Sequence, residues 1–292
     1  MRIHTSLLAL LAAAALTACG GGDTTPSPDS KAETKTEAAV KTVSLDDVLR
    51  HPRRADDAKR DKFRNPKETL EFFEVGPGKR VGEIWPGWYT DVTAPYLAAS
   101  GGQYVAVVYP DNAGERYAER VQKYKEKYSD SDVYGDIEYA TFWKDSGPIL
   151  AEGQEPLDVL VTYRNVHNWM GGGYAQEAFD EFYDALKPGG ILGVVEHRLP
   201  ETAVQNPKGA TGYVQESYMK DMAKRAGFEF VEASEINANP KDTADHPYGV
   251  WTLPPRSRLP KEGSVEAADF NAVAYKNIGE SDRATLKFRK PK

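Results

Sequence analysis

The chain has 292 residues, 40% of them hydrophobic and 11% aromatic, enough apolar material for one good-sized α/β domain with a closed core. The formal net charge is -7 and no stretch of the sequence clusters basic residues, which argues against nucleic acid or an anionic lipid surface as the main partner. A single cysteine, Cys19, leaves no partner for an internal disulfide.

In chain order, the first residues carry Arg2, an uninterrupted apolar run over 7–16, and small residues leading to Cys19. The run is too short for a permanent membrane helix, and its flanks are those of a secretory signal peptide over 1–19. Leu16, Thr17, Ala18 and Cys19 resemble a bacterial lipobox, which implies lipidation of Cys19 and an exported, periplasmic chain anchored to the membrane through that lipid. Gly20 stands where an inner-membrane retention signal usually carries Asp, and this favours the outer membrane. Residues 20–43 hold Gly, Pro, Ser, Thr and charge with almost nothing to bury, and read as a flexible tether. One domain is expected over 44–292.

Ser44 lies three residues before Asp47, a spacing that suits an N-cap. The charged segment that follows predicts two or three amphipathic helices, broken near Pro52 and Pro66. After "GPGK" the pattern changes, and short apolar runs alternate with helical stretches: "RVGEIW", "YTDVTAPYLAAS", "QYVAVVY", "NAGERYAERVQKYKEKY", "DVYGDIEYATF", "LDVLVTYRNV", "YAQEAFDEFYDAL", "ILGVVEH", "YVQESYMKDMAKRAG" and "FEFVEASEI". This rhythm implies parallel strands joined by helical crossovers, hence an α/β doubly wound sheet with N-terminal helices. Ligands of such sheets sit beyond the carboxyl ends of the strands, where strand order reverses. The stretch "EIWPGWYT", residues 83–90, falls at that position.

These residues resemble the class I S-adenosylmethionine-dependent methyltransferases, and more narrowly a group of predicted bacterial methyltransferases of that fold. "VGEIWPGWYT" matches the first motif with Glu83 at the acidic position, "YGDIEY" resembles the third, and "LDVLVTYRNVHNWM" the fourth strand. "LKPGGILGVVEH" resembles the turn and fifth strand, while "VWTLPPRSRL" and "SDRATLKFRK" look like a C-terminal signature and a final antiparallel strand. The resemblance covers nearly all of 44–292. It implies a mostly parallel seven-stranded Rossmann-like sheet, S-adenosylmethionine as cofactor and a small molecule as acceptor.

On that resemblance Glu83 organises the loop and holds the cationic end of the cofactor, and Gly87 lets the backbone approach it. Trp85, Pro86 and Tyr89 surround that glycine. Tyr109 occupies the strand-two position where a carboxylate would hold the ribose, with Asp111 two residues later. Asp136 and Ile137 are placed beside the adenine, and the backbone of Arg164 and Asn165 closes the remaining side. The loop departs from the family pattern in keeping one glycine among large rings. Two outcomes stay open: the rings fill the cofactor's volume, or they stack on it.

His167 and His197 sit at the ends of strands four and five and are candidate bases for proton removal from an acceptor; the alternative is that each bonds a backbone carbonyl. A metal site from His167, Glu196, His197 and His246 is set aside, because neighbours on a strand point to opposite faces. Gly171 to Gly173 read as a loop over the rim. Residues 239–280 are too long for a hairpin and are expected to form a lid, with Trp251, Arg256 and Arg258 toward the ligand. Two functions remain: a small-molecule methyltransferase, or a binding or accessory lipoprotein that kept the fold without the chemistry.

Overall fold

The computed structural model describes residues 43–292. The expectations for the leader, Cys19 and the tether lie outside the described residues. The N-terminal segment folds as α1 (Leu45–Leu49), α2 (Asp61–Arg64) and α3 (Pro66–Phe72), with short 3-10 turns between the first two. Ser44 caps α1 reciprocally with Asp47, each side chain bonding the other's backbone N–H. Pro66 starts α3 at the first helical position, where its missing N–H costs nothing.

The remaining elements alternate as the periodicity predicts: β1 (Arg80–Ile84), α4 (Thr90–Ala99), β2 (Gln103–Val108), α5 (Glu115–Lys127), α6 (Ser131–Tyr134), β3 (Glu138–Thr141) and β4 (Leu157–Tyr163). These are followed by α7 (Val166–Gly172), α8 (Ala175–Ala185), β5 (Leu186–His197), α9 (Glu216–Ala226) and β6 (Glu229–Ser234). The lid carries α10 (Val265–Ala268) and α11 (Ala272–Ile278), and β7 (Arg283–Arg289) closes the sheet.

The seven strands run in the order β3-β2-β1-β4-β5-β7-β6. All pairs from β3 to β5 are parallel, and β7 alone runs antiparallel, wedged between β5 and β6. Buried Val, Ile and Leu run almost without alternation along β1, β2 and β4, as required of strands covered on both faces. The order reverses between β1 and β4, so a crevice opens where their carboxyl ends diverge. The Lys-Pro-Gly-Gly stretch belongs to β5 as a bulge: pairing with β4 passes from Leu157↔Leu186 to Val159↔Ile191, and residues 187–190 loop out between them. Phe73, just past α3, lies on β5 at Gly193, where an added Cβ would sit 2.5 Å from the ring. That close approach seats the N-terminal helices directly on the sheet.

Candidate functional site

A cavity of about 700 Å³ lies at the carboxyl ends of β1, β2, β4 and β5, under the lid. Glu83, Trp85, Pro86, Gly87, Tyr89, Tyr109, Arg164, Asn165, His167 and His197 all line it. Asp111 instead starts an exposed 3-10 turn after β2. Asp136 and Ile137 are likewise not brought to the cavity, because they precede β3 and therefore stand at the amino-terminal edge of the sheet. The backbone carbonyl of Asp136 accepts from Gln103 Nε2 at that opposite end. The residues that follow β3, Phe142 and Trp143, reach the carboxyl end instead.

The loop after β1 is built around Glu83. Its carboxyl is buried and accepts from the Gly87 N–H at 3.2 Å and from the Tyr104 hydroxyl at 2.7 Å. Burial pushes its pKa up to about 7, against the lowering effect of those two bonds. Each oxygen thus takes one bond from the protein, so Glu83 shapes the bend while it also lines the cavity. Trp85 takes φ 48, a left-handed backbone that a glycine adopts at no cost. Its indole Nε1 donates to the Phe142 carbonyl at 3.0 Å, and its ring stacks on Tyr109 with centroids 4.6 Å apart at 24°. Trp143 and Trp169 close around the same ring at 5.6 Å and 5.7 Å. The indole therefore turns toward β2 and β3 and away from Gly87, where an added Cβ would meet nothing within 4 Å. On the other side Tyr89 stacks on Tyr163 at 3.7 Å and donates its hydroxyl to the Arg64 carbonyl. Asn165 ties the β4 turn to β1 through its Nδ2, which donates to the Ile84 carbonyl at 3.1 Å.

The two histidines meet at the rim, ring centroids 5.6 Å apart, because β4 and β5 are adjacent and parallel. The Glu196 carboxylate accepts from the His167 N–H, from the His197 N–H and from His167 Nδ1 at 3.1 Å. His167 therefore carries its proton on Nδ1 and keeps Nε2 uncommitted to Glu196. His197 Nδ1 bonds the Ser281 hydroxyl. Burial, and then the charges of His167 and Arg164, hold His197 well below the ordinary histidine range. Alternation along β5 does not separate the trio, as the sequence argument assumed: ligand atoms of His167, Glu196 and His197 lie within 4.8 Å of one another. His246 is elsewhere, bonded through Nε2 to Asp242 at 2.7 Å. Glu196 already accepts three N–H groups, so the trio is read as a hydrogen-bonded dyad with a second histidine beside it.

Of residues 239–280, the stretch 250–256 lies at the opening. Trp251, Leu253, Pro254, Pro255 and Arg256 line the cavity, with the Trp251 ring edge-on to His167 at 6.0 Å. Arg258 points elsewhere and lies over the Tyr248 ring at 4.4 Å.

The electrostatics of the cavity were not visible in the sequence. Seven basic side chains line it, Arg64, Arg116, Arg120, Lys144, Arg164, Arg256 and Arg283, against one carboxyl, Glu83. Arg64 reads in sequence as one charge among many, yet its side chain is 2% exposed and lies over the Trp88 ring at 4.8 Å. Nothing in its local pattern marks it; only the docking of the N-terminal segment buries it.

Strand order and the single antiparallel β7 define the Rossmann-like class I methyltransferase fold. No family model matches the chain, and no curated protein sequence matches it. Solved structures of similar chain path include an S-adenosylmethionine-dependent methyltransferase from Aquifex aeolicus, at 15% identity over 66% of this chain and 93% of that one, TM-score 0.45. The N-methyltransferase NodS from Bradyrhizobium japonicum WM9, in complex with S-adenosyl-L-homocysteine, shares 14% identity over 86% of this chain and 98% of that one, TM-score 0.45. The cyclase SpnF shares 18% identity over 78% of this chain and 80% of that one, TM-score 0.46.

Proposed function

We propose that this protein is an S-adenosylmethionine-dependent methyltransferase acting on a small-molecule acceptor. The observation that carries the reading is the open hollow at Gly87, from which a cavity of about 700 Å³ extends to His167 and His197. Pockets for ligands of this size run from about 300 to 1,000 Å³. The residues fit an adenosyl ligand: the bend at Gly87 is free of side chains, and the Trp85, Tyr109 and Trp143 rings, packed on one another, form an aromatic wall of the same cavity. The backbone at Gly87 and Asn165 would hold it, and when bound it supplies an electrophilic methyl group.

The chain's own residues provide position and a base. Glu196 fixes the His167 ring and its tautomer, which leaves Nε2 to take a proton from an acceptor O–H or N–H. Trp251, edge-on to His167, and the lid prolines wall the cavity on that side. We place the mature protein at the periplasmic side of the outer membrane, held by a lipid on Cys19.

A second reading, a binding or accessory lipoprotein, is favoured by Trp85 at a glycine position and by Tyr109 where a carboxylate would grip the ribose. Thermal unfolding with S-adenosylmethionine and with S-adenosylhomocysteine separates the two. A ligand at 100 times its Kd adds about 2.7 kcal/mol of stability. A rise in Tm with both is expected; no rise with either leaves the binding protein as the function.

A further inference from the structure

Three of the basic side chains converge on one part of the cavity from distant points of the chain. Arg64 arrives from the end of α2, Arg164 from the turn after β4 and Arg283 from the start of β7. Two of them share the Glu280 carboxylate, which accepts from Arg64 Nε at 3.1 Å and from Arg283 Nη2, and also from Arg60 Nε at 2.6 Å. Arg164 forms no ion pair among the described residues. Arg64 Nη1 and Nη2, although buried, have no hydrogen-bond partner among the described residues, nor has Arg283 Nε. Arg164 also sits at φ 63, a backbone state disfavoured for any residue but glycine and maintained only where the surroundings impose it. Buried guanidinium groups are normally paired, so an excess of them around a cavity marks the place of a missing anion.

We infer that Arg64, Arg164 and Arg283 form an oxyanion subsite that takes the carboxylate or phosphate group of a small molecule bound in the cavity. The planar fork of Arg64, with both terminal nitrogens unused, matches two oxygens of such a group. Burial, and next the Arg164 charge, draw Arg64 down to about 8; burial, and next the Arg283 charge, draw Arg164 down to about 10. The charge of a bound anion would oppose both shifts. The inference requires no methyl donor and holds for either reading of function. Two sources supply the same chemistry: an acidic acceptor, or the amino-acid carboxylate of the donor.

The test is calorimetric titration of the protein with inorganic phosphate and with acetate at constant ionic strength, for the wild type and for Arg164→Gln. Because Arg164 pairs with no carboxylate, the variant keeps the Glu280 network. The wild type is expected to bind at least one of the two anions at a single site. Arg164→Gln should weaken that binding at least about tenfold, the loss of one charge-assisted contact. The ligand-free variant should melt at or above the wild-type Tm, since one unpaired cation facing Arg64 and Arg283 is gone. Failure of the wild type to bind either anion overturns the subsite; so does a variant that melts lower while binding the anion as tightly as before. Repeating the titration with S-adenosylhomocysteine identifies the source: competition assigns the subsite to the donor's carboxylate, and simultaneous binding assigns it to an acidic acceptor. Anion binding without any S-adenosylhomocysteine binding would reject the methyltransferase and retain the subsite.

Discussion

Glu83 shows at the scale of one residue how position and role come apart. Its place at the end of β1 was legible from an apolar run ending in an acid, but its bonds to Gly87 and Tyr104, which shape the bend, were not. The carboxyl has an ordinary pKa of 4.5 in the unfolded chain and about 7 when folded. Between those values the folded protein retains a proton that the unfolded chain has released, so this group's contribution is present below the lower value and is lost as pH rises through the upper one. We expect about 2–3 kcal/mol of stability to disappear across that window. Glu83→Gln keeps an acceptor for Gly87 N–H and a donor for Tyr104, and should flatten the profile while raising stability above pH 7 by about 1–2 kcal/mol. Urea melts at several pH values decide it, and an unchanged slope in the variant would assign the pH dependence to other groups. The histidines were legible for a related reason, since a strand's end is where the apolar period stops. Arg64 was not, because its burial arises from contacts with residues far along the chain.

At the scale of elements, strand and helix alternation was readable because the two periods differ, whereas boundaries were not. The resemblance to the family's third motif places Asp136 and Ile137 beside the adenine, but β3 begins only at Glu138, so both stand at the opposite end of the sheet. The lid was inferred from length alone, and its seat is a backbone contact. Gly249 has φ 56, and an added Cβ would stand 2.2 Å from the Thr211 carbonyl oxygen, while Val250 N–H donates to that same carbonyl at 2.9 Å. Val250, Leu199 and Tyr213 make a small apolar cluster that holds the segment down. Gly249→Ala is therefore expected to unseat the lid at a cost of about 1–3 kcal/mol. Limited proteolysis should show cleavage within 239–280 at least several times faster than in the wild type; equal rates would mean that the lid is held by other contacts.

At the scale of the whole molecule, Glu280 links both ends of the domain, joining Arg60 and Arg64 of the N-terminal segment to Arg283 of β7. Burial would raise its pKa, but the charges of Arg283 and Arg64 outweigh this and hold it at about 2. Glu280 and Arg64 both move down, which favours the charged form of the carboxylate and disfavours that of the guanidinium: Glu280 faces several cations, whereas Arg64 is buried and faces Arg164. The contribution of Glu280 is complete above its ordinary 4.5 and is lost as pH falls toward 2. Glu280→Gln leaves the arginines unneutralised in a buried setting, a change that costs about 3–5 kcal/mol. Its Tm should fall and the loss of stability on acidification below pH 4.5 should shrink; a variant as stable as the wild type at neutral pH would show that the cluster is solvated rather than paired.

The sequence by itself determined the parallel doubly wound sheet, the position of the loop after β1 at the crevice of that sheet, and the pair of histidines on one rim. Each of these follows from local periodicity and from the chirality of crossovers, which act over a few tens of residues. Only the tertiary structure decided the sign of the cavity's charge, in a chain whose net charge is -7. The arginines that set it come from positions as far apart as 64 and 283, and no local pattern records which distant charges folding will bring together without their counterions.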